Sequence, residues 1–266
     1  MPETPVVPTT SPIAVIAHLS DTHIDTGAED GGRSVDRTRA VMEYLNSLPY
    51  DLDAVIATGD IADHAAPAEY EAARELLTTR HPLLTCPGNH DERAAFRAHL
   101  LGEPPSTAPV NTAHVTDRFT LALCDTSVPG EDHGHLADET LDWLSGLLAD
   151  TPPARPVLIG FHHPPVPLHT PYVDGIRQFD EHRLADLTAR HPNVTAFLAG
   201  HAHTPAATTF ADRPLLVAPG VVSTLRLPWE TQTHPSHHVH HDLPPAVAFH
   251  VLDDTGRLTT HYRPVL

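Results

Sequence analysis

Cysteine is nearly missing from this sequence of 266 residues, which has two, Cys86 and Cys124. Two cysteines build no disulfide framework and offer almost no thiolate to a metal. Each ends an apolar run, which reads as a small buried strand residue in a reduced cytoplasm. Clustered Lys and Arg are missing too: 16 basic side chains face 34 acidic ones, a formal net charge of -18. That balance argues against nonspecific binding of DNA, RNA or anionic lipid, so no nucleic-acid polymer is expected as a partner. No run is long and apolar enough for a membrane span. The first eleven residues lack the basic start and apolar segment of a signal peptide. They read as a flexible extension, residues 1–11, ahead of one compact domain over 12–266.

Histidine, by contrast, is abundant at 23 residues. An anionic substrate of so acidic a protein needs local positive charge, and bound divalent cations are one source of it. A charged share of 19% is well below that of a disordered acidic chain, and the hydrophobic 40% is spread in short runs between polar turns, so the chain should fold. Apolar runs over 13–19, 54–57, 82–86, 157–161 and 194–198 predict buried strands. Helical spacing is found over 33–48, 68–77, 92–101 and 137–149 and within 175–190. A hairpin over 111–116 and 119–124 and strands over 207–210, 214–218, 246–252 and 256–263 complete an α/β sandwich of parallel and antiparallel strands.

Polar clusters follow five of these strands at once: Asp21-Thr22-His23, Gly59-Asp60, Gly88-Asn89-His90-Asp91, His162-His163 and Gly200-His201-Ala202-His203. Each alone also reads as a turn, a helix cap or a hydrogen-bonded surface histidine. Five together, each after a different strand, point to a site, because ligands of α/β sheets collect beyond the carboxyl ends of the strands. A separate tract, His234 to His241 within a loop of about 233–242, reads either as a surface loop or as metal-binding composition.

In this order the five clusters resemble the calcineurin-like metallophosphoesterases, over roughly residues 13–221. Within that superfamily, Gly59-Asp60-Ile61-Ala62-Asp63 and His162-His163-Pro164-Pro165 look like the class III cyclic-nucleotide phosphodiesterase and glycerophosphodiesterase branch. The resemblance implies a four-layer α/β/β/α sandwich with two mixed β-sheets and a dinuclear metal site at the strand C-terminal edge. Carried over residue by residue, it implies one ion on Asp21, His23 and His203, a second on Asn89, His162 and His201, and Asp60 bridging both. Oxygen and nitrogen donors without thiolate suit Mn, Fe, Zn or Co, as a divalent or mixed-valence pair.

Hydrolysis by a hydroxide that two metals activate then needs no protein nucleophile. His90, beside Asn89 but outside the donor set, is the candidate acid for the leaving alkoxide, and both residues are expected to touch substrate. Asp63 or Asp91 could orient its ring, and His163 is expected to make hydrogen bonds rather than bind metal. The expected substrate is a small phosphate ester, 3′,5′-cyclic nucleotides such as cyclic AMP being favoured. A phosphomonoesterase or a glycerophospho- or phospholipid-type phosphodiesterase is the alternative on the same scaffold. A non-enzymatic interaction scaffold would be expected to lose ligands, and none is missing. Loops 26–33, 128–135, 164–176 and 222–241 would choose the substrate, with Tyr172 and Trp229 read either as base-stacking rings or as packing anchors. Beyond Pro219-Gly220 the chain departs from the pattern, which leaves a homodimer open.

Overall fold

A computed structural model describes residues 11–27, 32–230 and 238–266. The expected N-terminal extension, apart from Ser11, and the histidine tract as far as His237 lie outside the described residues. The chain runs β1 (Pro12–Leu19), α1 (Arg33–Ser47), β2 (Ala54–Thr58), α2 (Pro67–Leu76), β3 (Leu83–Cys86) and α3 (Arg93–Ala95). It continues through β4 (Thr112–Val115), β5 (Thr120–Cys124), β6 (Gly134–His135), α4 (Asp138–Asp150), β7 (Val157–Phe161), α5 (Pro171–Gly175), β8 (Gln178–Phe179) and α6 (His182–Ala189). It ends with β9 (Val194–Ala199), β10 (Ala206–Phe210), β11 (Arg213–Val217), β12 (Thr224–Leu225), β13 (Val239–His240), β14 (Ala246–Asp253) and β15 (Leu258–Pro264).

Two mixed sheets result. One has the order β15-β14-β1-β2-β3, with β1 to β3 parallel and the last two strands of the chain antiparallel at its edge. The other has the order β10-β11-β9-β7-β5-β4, parallel in its four central strands and antiparallel at both edges. Side chains alternate across a strand, so each apolar run supplies two faces. Ala14 and Ile16 of β1 and Ala54 and Ile56 of β2 meet Leu121, Leu123, Leu158 and Leu198 of the other sheet. The opposite faces of β1 and β2 pack under α1 and α2 through Val41, Leu45 and Tyr70, while β7 and β9 pack under α4 and α6 through Leu144 and Leu184. The layers are therefore α/β/β/α, and strands covered on both sides have to be apolar throughout, as the runs in the sequence are.

A chain of polar residues crosses the inter-sheet face beside β1, β2 and β14. Thr260 Oγ1 lies 2.8 Å from His250 Nδ1, His250 Nε2 lies 3.0 Å from His18 Nδ1, and His18 Nε2 lies 2.8 Å from Thr58 Oγ1. The Thr58 hydroxyl donates to Ser20 Oγ, and Ser20 donates to the Thr58 carbonyl. One direction satisfies every member: Thr260 donates to His250, His250 to His18, and His18 to Thr58, with both imidazoles protonated at Nε2.

Two local departures from the sequence pattern bear on the site. The expected helix over 92–101 is a single α-turn, Arg93–Ala95, whose amides of Ala94 and Ala95 are capped by Glu92, followed by a π-helical turn over Phe96–Leu101. The described end of the histidine tract is not a free loop. Val239 and His240 pair with Leu225 and Thr224, because the antiparallel ladder satisfies backbone groups that a loop would leave to water.

Candidate metal centre

Residues from both sheets converge at one edge. Asp21 and His23 follow β1, Asp60 follows β2, Asn89 and His90 follow β3, His162 follows β7, and His201 and His203 follow β9. Five of them sit at positive φ: Asp21 (56°), His23 (42°), Asp60 (50°), His201 (68°) and His203 (53°). Left-handed backbone costs a non-glycine residue on the order of 1–3 kcal/mol and collects where function over-determines geometry. Here a lattice of main-chain bonds holds it: Asp21 N donates to Gly59 O (3.1 Å), His23 N to Asp60 O (2.9 Å) and Gly200 N to His162 O (2.9 Å).

The donor atoms crowd one another at hydrogen-bond distances. His23 Nε2 and His203 Nε2 are 3.2 Å apart, and Asp21 Oδ1 lies 3.4 Å from His203 Nε2. His162 Nε2 is 3.2 Å from Asn89 Oδ1 and 3.1 Å from His201 Nδ1. Asp60 Oδ2 lies between the two groups, 3.5 Å from His23 Nε2 and 3.3 Å from His162 Nε2, while its other oxygen accepts the His90 amide at 2.9 Å. Asp21 Oδ1 is buried without a hydrogen-bond partner, an expensive position unless a cation fills it. Converging nitrogen and oxygen donors and an orphaned carboxylate oxygen fit two cations that share Asp60.

The outward nitrogens are fixed as metal-binding imidazoles usually are. His23 Nδ1 donates to Asp63 Oδ1 at 2.7 Å, His162 Nδ1 to the Thr58 carbonyl at 2.6 Å, and His203 Nδ1 lies 2.8 Å from Ser223 Oγ. Glycine makes the approach feasible. A Cβ at Gly88 would lie 2.5 Å from the Asp60 amide and 2.8 Å from His162 Nε2, and closer still to Asp60 Oδ1.

Electrostatics follow from this crowding. Burial disfavours a charged Asp60, yet the His162 imidazolium outweighs it and holds the carboxyl well below the usual range. Burial likewise opposes charge on His162, and Asp60 overcomes it, pushing that imidazole up to about 9. Burial, helped by the neighbouring imidazoles of His162 for His201 and His23 for His203, carries both down, so both are neutral donors.

His90 and its neighbours divide differently. His90 Nδ1 donates to the Asp63 carbonyl at 2.8 Å, and its ring stands edge-on to His23 with centroids 4.5 Å apart. That leaves Nε2 to face the cleft that His90 lines. Asp63 thus holds His90 through its carbonyl, and the carboxylate oxygen that accepts from His23 also lies 3.5 Å from His90 Nδ1. Asp91 does not reach the His90 ring. Its oxygens accept the amides of Ile61, Ala62 and Gly88 and brace the two loops together, and burial beside Asp60 pushes its carboxyl up to about 6. His163 donates from Nε2 to the Asp132 carbonyl (3.2 Å), and its Nδ1 lies 2.9 Å from Thr126 Oγ1, so neither ring nitrogen faces the cleft.

Thr58, through its carbonyl, and Ser223 were not legible as site residues. Thr58 is the last residue of an apolar strand, and Ser223 lies where the sequence leaves the recognisable pattern. Of the two aromatic candidates, Tyr172 lines the cleft with the donors, whereas Trp229, 72% exposed, is not among its lining residues. Among the described residues, no helix is long and apolar enough to cross a membrane.

Known proteins resemble this chain in sequence and in fold. Over 216 residues the chain is 35% identical to a glycerophosphodiester phosphodiesterase of Enterobacter lignolyticus, covering 78% of this chain and 77% of that one. It is 36% identical over 215 residues to a cAMP/cGMP dual specificity phosphodiesterase of Mycobacterium tuberculosis, covering 78% and 67%. A dimetal phosphatase of Danio rerio shares the fold at 16% identity with a TM-score of 0.66, covering 96% of this chain and 100% of that one. The family model for calcineurin-like phosphoesterases matches residues 14–205, a span that holds all seven donors from Asp21 to His203. With the fold, the donors and the family model in register, this chain belongs to the calcineurin-like phosphoesterases, enzymes that hydrolyse phosphate esters.

Proposed function

We propose that the chain is a metal-dependent phosphodiesterase whose substrates are 3′,5′-cyclic nucleotides, working as one catalytic unit over residues 12–266. The observation that carries the reading is Asp60 Oδ2, within 3.5 Å of donors from both groups. Asp21, His23 and His203 would hold one ion, Asn89, His162 and His201 the other, and Asp60 would be common to both. When bound, two such cations supply Lewis acidity to a water and neutralise charge on the phosphate, and the donor set admits Mn, Fe, Zn or Co.

The chain's own part is orientation and proton delivery. Asp63, Thr58 and Ser223 fix the imidazole rims, and Asn89 presents a neutral carboxamide toward the substrate. With Nδ1 donating to the Asp63 carbonyl, His90 can carry a transferable proton only at Nε2, on the cleft side, which suits protonation of a departing alkoxide. Both cysteines are free and buried, which supports a reducing compartment such as the cytoplasm.

A hydrolase of glycerophosphodiesters is the second reading, favoured by the relative of that name and by a chamber beside His23 that Asp25 and Asp63 line and a cationic headgroup would suit. Turnover of cyclic AMP, 2′,3′-cyclic AMP, a glycerophosphodiester and aryl mono- and diesters with added Mn separates these. Cyclic AMP should lead, and a large preference for monoesters would overturn the phosphodiesterase reading. His90→Ala should keep both metals and lose about 10²–10⁴-fold in turnover of alkyl esters, with a smaller loss on activated aryl esters. An equal loss on both would remove His90 from the acid role.

A further inference from the structure

The cleft above the metal donors has a second wall, built by two segments distant in sequence. Tyr172 and Ile176 come from α5 and the residue that ends it, and Leu225, His238 and Val239 come from β12 and the residues about β13. All line one cavity of about 150 Å³ together with His90 and the donors His23, Asp60, Asn89, His201 and His203. The Tyr172 and His238 rings lie against each other with centroids 5.0 Å apart and planes 31° from parallel.

Both segments are anchored, so this wall has a fixed shape. Beside Tyr172, Val173 is 1% exposed and fills the core, and Asp174 accepts the Leu168 amide at 2.7 Å. Opposite, the Thr224–Leu225 ladder and the bond from Arg226 N to the His238 carbonyl (2.6 Å) hold the other ring. Despite this anchoring, Tyr172 is 60% exposed. A packing anchor would be buried. This short helix buries its valine and leaves the tyrosine exposed at the cleft.

The cleft sorts chemistry by side. Donors for cations that bind phosphate lie on the floor, and the carboxylates of Asp25 and Asp63 line the neighbouring chamber beside His23, where a cationic headgroup would be drawn. The Tyr172 side carries apolar groups and flat rings. It therefore suits a neutral planar heterocycle attached to the phosphate through a few bonds, and a polyol gains little from a flat apolar wall. Every base has a π-face, so such stacking needs no hydrogen-bond code.

We propose that Tyr172 and His238 form the platform on which the base of a nucleotide stacks while its phosphate sits over the metal donors, making Tyr172 a specificity-determining residue. This rests on the phosphodiesterase reading. The test uses the full-length, Mn-loaded protein as wild type, Tyr172→Phe and Tyr172→Ala. Tyr172→Ala should lower the ratio of kcat/KM for cyclic AMP to that for glycerophosphocholine at least about tenfold, the scale of one lost stack. The fall should come mainly through KM, and Tyr172→Phe should restore the ratio. A ratio unchanged in Tyr172→Ala overturns the platform.

Equilibrium binding covers the case in which no diester is turned over. Adenosine monophosphate should bind the wild type more tightly than inorganic phosphate does, and Tyr172→Ala should abolish that advantage. If turnover of diesters fails while this advantage is present and depends on Tyr172, the phosphodiesterase reading falls and the platform stands. If the wild type binds the two equally, the platform falls whatever the enzyme hydrolyses.

Discussion

At the scale of single residues the site is a problem of crowding. Gly88 lies where the Asp60 and His162 side chains meet, and no rotamer can relieve a Cβ there because one of its neighbours is the Asp60 backbone amide. Gly88→Ala should therefore push Asp60 away from the position both donor groups share, while the apolar layers, which do not include it, stay packed. We expect a folded protein by circular dichroism that binds fewer than two equivalents of Mn and loses activity by about 10²-fold or more, the scale of a misplacement near 1 Å. Two tightly bound ions in Gly88→Ala would show that the approach is looser than it looks. The donors themselves were legible because each follows an apolar strand within four residues, so polarity and strand ends coincide in the sequence. What fixes them was not. Five of the eight residues named at the strand ends adopt left-handed backbone, and their outward nitrogens find Thr58 and Ser223 across the fold, 104 and 20 positions away. No local pattern encodes such a distance.

Elements carry a different cost, the burial of two imidazoles between the sheets. Burial pushes His250 down to about 3 and, with His250 beside it, takes His18 well below 6.5. In the unfolded chain both titrate near 6.5. Between these limits the unfolded state binds more protons than the folded one, so stability is full above about pH 6.5 and falls as the pH drops toward 3. The slope reaches at most about 1.4 kcal/mol per pH unit for each histidine. Asp91, pushed up to about 6, acts with the opposite sign, as does His162, pushed up to about 9. Comparing the wild type with His18→Leu/His250→Leu cancels both terms. Urea unfolding of the metal-free proteins from pH 7 to 4.5 should show a shallower acid loss in the double variant, and parallel curves would mean that the pair is charged or hydrated when folded. In the sequence His18 and His250 are invisible as a pair, since each is one polar residue in an apolar strand. The strands were legible from their runs, and the helices over 33–48 and 137–149 from their spacing. The strand order was not, because β14 joins β1 from 232 positions away along the chain.

For the whole molecule the site is where two separately built layers meet. Asp21, His23, Asp60 and Asn89 stand on one sheet, and His162, His201 and His203 stand on the other. Each proposed ion has ligands from both. The protein already ties this edge, through Val221 N to Ser20 O (2.9 Å), Val222 N to Asp21 O (3.1 Å) and His201 N to Asp21 Oδ2 (3.1 Å). Without cations, however, two buried carboxylates and four imidazole nitrogens crowd together there, and Asp21 Oδ1 has no hydrogen-bond partner, so the metal-free edge carries an uncompensated cost. Metal binding should then act on stability as a clamp. A ligand present at about a thousandfold over its Kd adds roughly 4 kcal/mol to the native state. Chelation should accordingly lower Tm by several degrees, reversibly on adding Mn, and the shift should grow with Mn concentration. Asp60→Ala, which removes the shared donor, should lose most of that shift. Hydrogen exchange locates the effect: chelation should release protection at 21–24 and 200–203 and leave the amides of β5 and β7 protected, since those strands are held by the apolar layers. If the chelated protein lost protection uniformly, the metals would be holding the sandwich together as a whole, and the apolar layers would be too weak to stand without them.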